Sequence, residues 1–243
     1  MILLKKQNLL FVKGYKVAGT SFEIALSKFA NDDDIITPIP PEDELIRSQL
    51  GFKKPQNYRI KKIDLLNKSK LAFLQSFTDD MKNFKFSEHI SAVEIRKILG
   101  KDYFDNLTKV AIIRNPFDYL VSRYYWEKSA AEFNNKKNRN FENFETWMKN
   151  NPSLINQNNK IYKDEFDDLI DIYIKFENLD TDLKIFETKF NLPGFEKIFN
   201  SIKTKSNIRS KKRELKDFYN NKSIIECVKF LNNDDIKRFN YKL

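Results

Sequence analysis

The stretch Leu9-Leu10-Phe11-Val12-Lys13-Gly14-Tyr15-Lys16-Val17-Ala18-Gly19-Thr20-Ser21 runs from an apolar segment into a turn bounded by glycines. Residues 9–13 read as a buried strand, because a short apolar run stops at a glycine. From Thr20 onward Phe22, Ile24, Ala25, Leu26 and Phe29 recur at helical spacing, so residues 20–30 read as a helix. A turn of this kind aims several backbone N–H groups at one spot, where the helix dipole favours an anion. Lys16 adds a mobile cation, and Thr20 and Ser21 add hydroxyl donors. The spacing Gly-x4-Gly-x-Ser is close to that of a nucleoside-triphosphatase phosphate loop, with one change. Thr20 stands where such a loop carries lysine, and the lysine is Lys16 instead. The same residues also suit an ordinary strand-to-helix turn in which Gly19 packs helix against strand.

Working outward, Pro38, Pro40 and Pro41 mark a loop leading to a helix over residues 41–50. Residues 71–75 read as a second strand. Residues 91–99 have helical periodicity and stop at Gly100. Residues 110–113 read as a third strand, after which Asn115 suits an N-cap and Pro116 the first helical position of a helix to about Lys128. Residues 133–140 read as a polar loop. Residues 172–176 form a fourth strand, followed by a helix over 180–190. A basic tail from Lys203 to Lys216 precedes a helical C-terminal segment. Strands alternating with helices predict an α/β fold with a mainly parallel central sheet flanked by helices, in one domain spanning residues 1–243.

Composition narrows the function classes. The chain has 243 residues, 44 Lys and Arg against 34 Asp and Glu, and a formal net charge of +10, which points to an anionic partner. One cysteine, Cys227, excludes an internal disulfide and a cysteine-based zinc site, and its apolar-periodic surroundings read as a buried thiol. One histidine, His89, leaves no room for a histidine-rich metal site. No apolar run approaches the roughly 20 residues that span a bilayer, so the chain reads as cytoplasmic.

The second informative segment is Val110-Ala-Ile-Ile-Arg114-Asn115-Pro116-Phe-Asp118-Tyr-Leu-Val-Ser122-Arg-Tyr-Tyr. An arginine at the C-terminal end of a strand lies where open α/β sheets bind ligands. Arg114 can grip a phosphate through two N–H groups, and Ser122, facing inward from the following helix, can donate one hydrogen bond to it. A salt bridge for Arg114 and helix packing for Ser122 are the plainer readings. Glu177, at a strand end, reads as a cap or a fold support, and Trp126, Tyr124 and Tyr125 as core rather than as a sugar-stacking platform.

Taken together, Lys16-Val-Ala-Gly-Thr-Ser after one strand and Arg114-Asn-Pro-x-Asp-x-x-x-Ser-x-Tyr after another resemble the carbohydrate sulfotransferase family. His89 before a helix, Phe176-Glu-Asn-Leu after a late strand and the C-terminal Asp217-Phe-Tyr pattern extend the likeness. The resemblance implies a three-layer P-loop-like fold and a sulfuryl donor, 3'-phosphoadenosine 5'-phosphosulfate, used without a metal. It implies that Lys16, Val17, Ala18, Gly19, Thr20 and Ser21 hold the 5'-phosphosulfate and that Arg114 and Ser122 hold the 3'-phosphate. Lys205 falls in a segment that touches the nucleotide in relatives, although Thr204 departs from their asparagine. The acceptor implied is a hydroxyl, on a glycan or sugar conjugate rather than nucleic acid.

Such a transfer needs a base. His89 is the candidate, because an ordinary imidazole titrates near neutrality, and it matches a catalytic histidine of some relatives; Glu88 is the runner-up. Lys16 would steady the departing phosphate. Two other readings stand beside this one: a P-loop kinase or NTPase, and a basic nucleic-acid-binding module.

Overall fold

The segments Ile2–Leu4 (β1) and Leu9–Phe11 (β2) are apolar triplets separated by Lys5, Lys6, Gln7 and Asn8. Asn8 takes a left-handed conformation (φ 50°), which asparagine tolerates in turns, and the two strands close as an antiparallel hairpin pairing Leu3 with Leu10. The computed structural model describes residues 1–60, 83–133, 141, 143–202 and 214–243. The strand expected over 71–75, residues 134–140 of the loop expected over 133–140, and residues 203–213 of the basic tail expected over 203–216, Lys205 among them, lie outside the described residues.

The sheet has five strands in the order β3-β1-β2-β4-β5, with β3 at Ile35–Ile36, β4 at Thr108–Ile113 and β5 at Ile172–Lys175. The pairs β2–β4 and β4–β5 are parallel, whereas β1 runs antiparallel to both β2 and β3. The sheet is therefore mixed, and the expectation of a mainly parallel sheet is corrected. The hairpin strand β1, whose shortness hid it among the lysines that follow, is the physical reason.

Side chains alternate across the strands and divide the core into two faces. On one, Ile2, Leu4, Leu9, Phe11, Val110 and Ile112 meet helix α1 (Gly19–Ser27). Two later helices, at Leu179–Phe190 and Phe195–Ser201, complete that layer through Phe186 and Phe195. On the other face, Leu3, Leu10, Val12 and Ala111 meet Ile95, Phe104 and Tyr162. Helix α2 is Pro41–Gln49, and α3 (Ala92–Leu99) opens with a capping box between Ser91 and Glu94. Helix α4 is Lys101–Asn106.

Helix α5 (Pro116–Phe133) starts where Asn115 Oδ1 accepts from the Phe117 N–H at 3.1 Å, as the Asn-Pro pair predicts, but runs past Lys128. Its inner face packs with α6 (Phe144–Asn150) and α10 (Lys222–Leu231) in a third apolar cluster of Phe117, Leu120, Phe144, Trp147 and Val228. Between them lie α7 (Asn159–Tyr162), α8 (Leu179–Phe190) and α9 (Phe195–Ser201), and α11 (Asn233–Phe239) follows α10. Cys227 is exposed on α10, which corrects the buried reading: Ile224 and Val228 take the inward positions and turn Cys227 outward. Among the described residues no helix is long and apolar enough to cross a membrane.

The topology brings the residues after β2, after β4 and after β5 to one end of the sheet. The turn after β2 demands glycine at 14 through close approach. A Cβ there would lie 2.0 Å from the Tyr162 hydroxyl oxygen, and that hydroxyl donates to the Ile112 carbonyl of β4 at 2.9 Å. Gly14→Ala is expected to lower stability by about 1–3 kcal/mol, as overpacking does. Adding Tyr162→Phe should recover part of that loss in thermal unfolding.

Candidate functional site

The turn between β2 and α1 is held in an uncommon shape. Lys16 (φ 56°) and Ala18 (φ 61°) both sit in the left-handed region without being glycine. Each such residue costs about 1–2 kcal/mol, and such strain clusters at functional sites. The surroundings impose it. Asn158 Oδ1 accepts from the Tyr15 N–H at 2.8 Å, and its Nδ2 donates to the Tyr15 carbonyl at 3.0 Å. Arg114 Nη1 donates to the Lys16 carbonyl at 2.7 Å. Ala18 is the N-cap of α1 and offers no side-chain acceptor, and the first turn carries no acidic residue. The positive pole of the helix thus carries neither a side-chain cap from Ala18 nor an acidic residue in its first turn.

A cleft of about 490 Å3 opens over this turn. Its wall contains Lys16, Val17, Ala18, Gly19, Thr20, His89, Arg114 and Ser122, so most of the residues singled out in the sequence meet in one place. Ser21 does not line it; it is buried in the first turn of α1.

Arg114 reaches the cleft from the end of β4 with much of its guanidinium already engaged. Nε donates to Asp118 Oδ2 at 2.7 Å, and the guanidinium stacks on Phe176 with its carbon 4.0 Å from the ring centre. Both readings of Arg114 from the sequence therefore meet in the structure: it is salt-bridged and it lines the cleft. Glu177 accepts from the Asn115 N–H at 2.6 Å and from the Tyr241 hydroxyl at 3.3 Å, the fold-supporting role expected for it.

Lys13 was missed as a site residue, because a lysine ending an apolar strand reads as its solvent boundary. Its side chain is only 2 % exposed. Nζ donates to Glu23 Oε2 at 2.8 Å and to Glu88 Oε1 at 2.5 Å. Glu23 is completely buried and also receives the α-amino group of Met1. Burial alone would raise the Glu23 carboxyl, but the two cations overrule it and hold it at about 2. Glu88 is paired with Lys13 by the same contact, and its Oε1 also lies 3.9 Å from His89 Nε2 in the cleft wall.

His89 stacks on Tyr15, with ring centres 3.9 Å apart. Its Nδ1 lies 3.1 Å from the Lys13 carbonyl oxygen. A carbonyl can only accept, so Nδ1 carries the proton and Nε2 of the neutral ring holds the free lone pair. Burial, and then the Lys13 ammonium, push the imidazole down to about 4. His89 is therefore neutral at physiological pH and able to accept a proton.

Two further residues of the cleft carried no clear sequence signal, Arg123 and Trp126. Trp126 lines the cleft instead of joining the core assigned to it, while Tyr124 does join the core. Lys16 Nζ lies 5.5 Å from the Trp126 ring centre. The spacing of Ser122 and Trp126, one helical turn apart, could have signalled a shared face.

Comparisons with protein-family models, with characterised proteins and with solved structures give no match.

The shifted groups make stability fall in acid. Both His89 (about 4 folded, 6.5 ordinarily) and Glu23 (about 2 folded, 4.5 ordinarily) take up a proton more readily when unfolded. The His89 contribution is complete above pH 6.5 and is lost between there and about pH 4. That loss is on the order of 3 kcal/mol. Glu23 adds a further loss from about 4.5 down to 2. Urea unfolding followed from pH 7 to 4 should show the first decline, and His89→Gln should flatten it.

Proposed function

We propose that the chain is a sulfotransferase, moving a sulfuryl group from 3'-phosphoadenosine 5'-phosphosulfate to a hydroxyl, with a carbohydrate as the acceptor. The observation that carries this reading is a neutral histidine and two anion-holding elements in the wall of one cleft. The unit β2–turn–α1 beside a parallel β4 supports a P-loop-like fold with an antiparallel hairpin added at one side. The cleft volume falls within the range of small-molecule sites, and its donors are those that oxyanions need.

In this reading the amides of the Val17–Thr20 turn, the Thr20 hydroxyl and Lys16 hold the 5'-phosphosulfate. Arg114 and Ser122 hold the 3'-phosphate, and Lys205 is proposed to join them. When bound, the donor supplies a sulfuryl group on a phosphate leaving group, which passes to the acceptor oxygen as adenosine 3',5'-bisphosphate departs. His89 takes the acceptor proton at Nε2, and the Lys13 carbonyl steadies the charged ring through Nδ1. Lys16 and the positive end of α1 stabilise the charge that collects on the departing phosphate. The carboxylates nearest the turn, Glu23 and Glu88, are both turned onto Lys13. This favours sulfuryl transfer over magnesium-dependent phosphoryl transfer.

Calorimetric titration tests the reading. Adenosine 3',5'-bisphosphate should bind without metal and more tightly than AMP, and Lys16→Ala should weaken it about tenfold or more, as loss of a charge-assisted contact does. Tighter binding of ATP with magnesium would overturn it. With an acceptor in hand, His89→Ala should lower kcat by about 10²–10⁴. The acid limb of the rate profile should fall near pH 4.

A further inference from the structure

Arg123 follows Ser122 on α5, and neither the transfer chemistry nor the donor contacts above make use of it. Its orientation is fixed from behind. Nε donates to Glu127 Oε1 at 2.9 Å, and the other Glu127 oxygen accepts from Trp147 Nε1 at 3.1 Å. Glu127 and Trp147 are both buried, so the arginine is anchored into the third apolar cluster. The guanidinium carbon lies 5.1 Å from the Tyr15 ring centre and 5.0 Å from that of Trp126. The side chain is 13 % exposed and lines the cleft. Among the described residues Glu127 is its one hydrogen-bond acceptor, engaged through Nε, and the two terminal amino groups donate to none.

A largely desolvated guanidinium with an open fork is costly unless something fills it. Flanking aromatic faces and a fork of parallel N–H groups suit a planar or tetrahedral oxyanion attached to a ring whose C–H face can pack on Tyr15 or Trp126. The position of Arg123 says which molecule carries that anion. Tyr15 touches Arg123 and is stacked on His89, the base proposed above for the acceptor hydroxyl. The donor's two phosphate positions are assigned to the turn at α1 and to Arg114 with Ser122.

We infer that Arg123 is the specificity-determining residue for the acceptor, gripping a carboxylate or sulfate ester that the acceptor sugar carries near the hydroxyl to be sulfated. This rests on the sulfuryl-transfer reading above and extends it to an acidic class of acceptor. The contact forms and breaks no covalent bond. It orients the acceptor so that its hydroxyl proton meets His89 Nε2.

The test compares three acceptors with wild-type protein, Arg123→Gln and Arg123→Lys. One is an oligosaccharide containing hexuronate, the second is its carboxyl-reduced form, and the third is the reduced form bearing a sulfate ester. Wild type should favour an acidic acceptor over the reduced one by about tenfold to a hundredfold in kcat/KM, the range of a charge-assisted contact. Preference for the first or the third identifies which anion is read. Arg123→Gln should abolish that preference through KM while leaving adenosine 3',5'-bisphosphate affinity within about twofold, which also reports correct folding. Arg123→Lys should restore only part of it, because an ammonium lacks the fork.

Equal use of acidic and reduced acceptors by wild type would overturn the inference. So would an Arg123→Gln variant that loses nucleotide affinity but keeps the acceptor preference, since that places Arg123 on the donor. A failure of sulfuryl transfer itself appears separately, as absence of bisphosphate binding. Direct titration with the hexuronate oligosaccharide, with binding lost in Arg123→Gln, still decides the role of Arg123.

Discussion

The ammonium of Lys13 lies almost wholly out of water between the carboxylates of Glu23 and Glu88, one on α1 and one beside His89. Three separate parts of the chain meet on this single charge. A buried cation of this kind is tolerated only with partners on several sides. The ion pairs fix the distance between the end of β2, the first helix and the segment that carries the histidine. The backbone of the same residue orients the imidazole through its carbonyl. The side-chain stem occupies the space beside Gly19, where a Cβ would come within 2.8 Å of Lys13 Cγ. The glycine at the start of α1 is therefore required by the lysine that passes it.

From this anchor the cleft acquires both its strain and its electrostatics. The turn after β2 holds two non-glycine residues, Lys16 and Ala18, in left-handed conformations; Arg114 holds the Lys16 carbonyl and Asn158 the backbone of Tyr15 just before it. Arg114 thus serves the turn as well as the cleft, joining the end of β4 to the Lys16 carbonyl. The uncapped end of α1, Lys16, Arg114 and Arg123 line the cleft with positive charge, while Glu88 in the same wall is paired with Lys13, Asp118 with Arg114 and Glu127 with Arg123. Positive charge beside a neutral imidazole is the combination that the proposed sulfuryl transfer calls for.

Much of this was readable in the sequence, and the reasons for the rest are physical. The strand-to-helix turn and the arginine after β4 announce themselves through glycine spacing, an Asn-Pro start and apolar runs, all of them local signals. The hairpin strand β1 escaped because three apolar residues before two lysines resemble an ordinary chain start. Its presence makes the sheet mixed. Lys13, Asn158 and Arg123 escaped for a different reason. Their importance lies in contacts with residues distant in sequence, such as Lys13 with Glu88 and Asn158 with Tyr15, and no periodicity encodes those. Trp126 reads as core in the sequence because an aromatic on a helix is normally packed inside, and here α5 turns the face carrying Ser122 and Trp126 to the cleft.

Because His89 is the chain's one histidine, its ring nitrogens can be followed by long-range ¹⁵N correlation spectroscopy without ambiguity. The titration should be run with and without adenosine 3',5'-bisphosphate. A neutral ring at pH 7 with the proton on Nδ1, a midpoint near 4 in the free protein and a clear shift of Nε2 on nucleotide binding are the expected results. A midpoint near 6.5, a proton on Nε2, or nitrogens indifferent to the nucleotide would contradict a neutral base held beside an anion cradle.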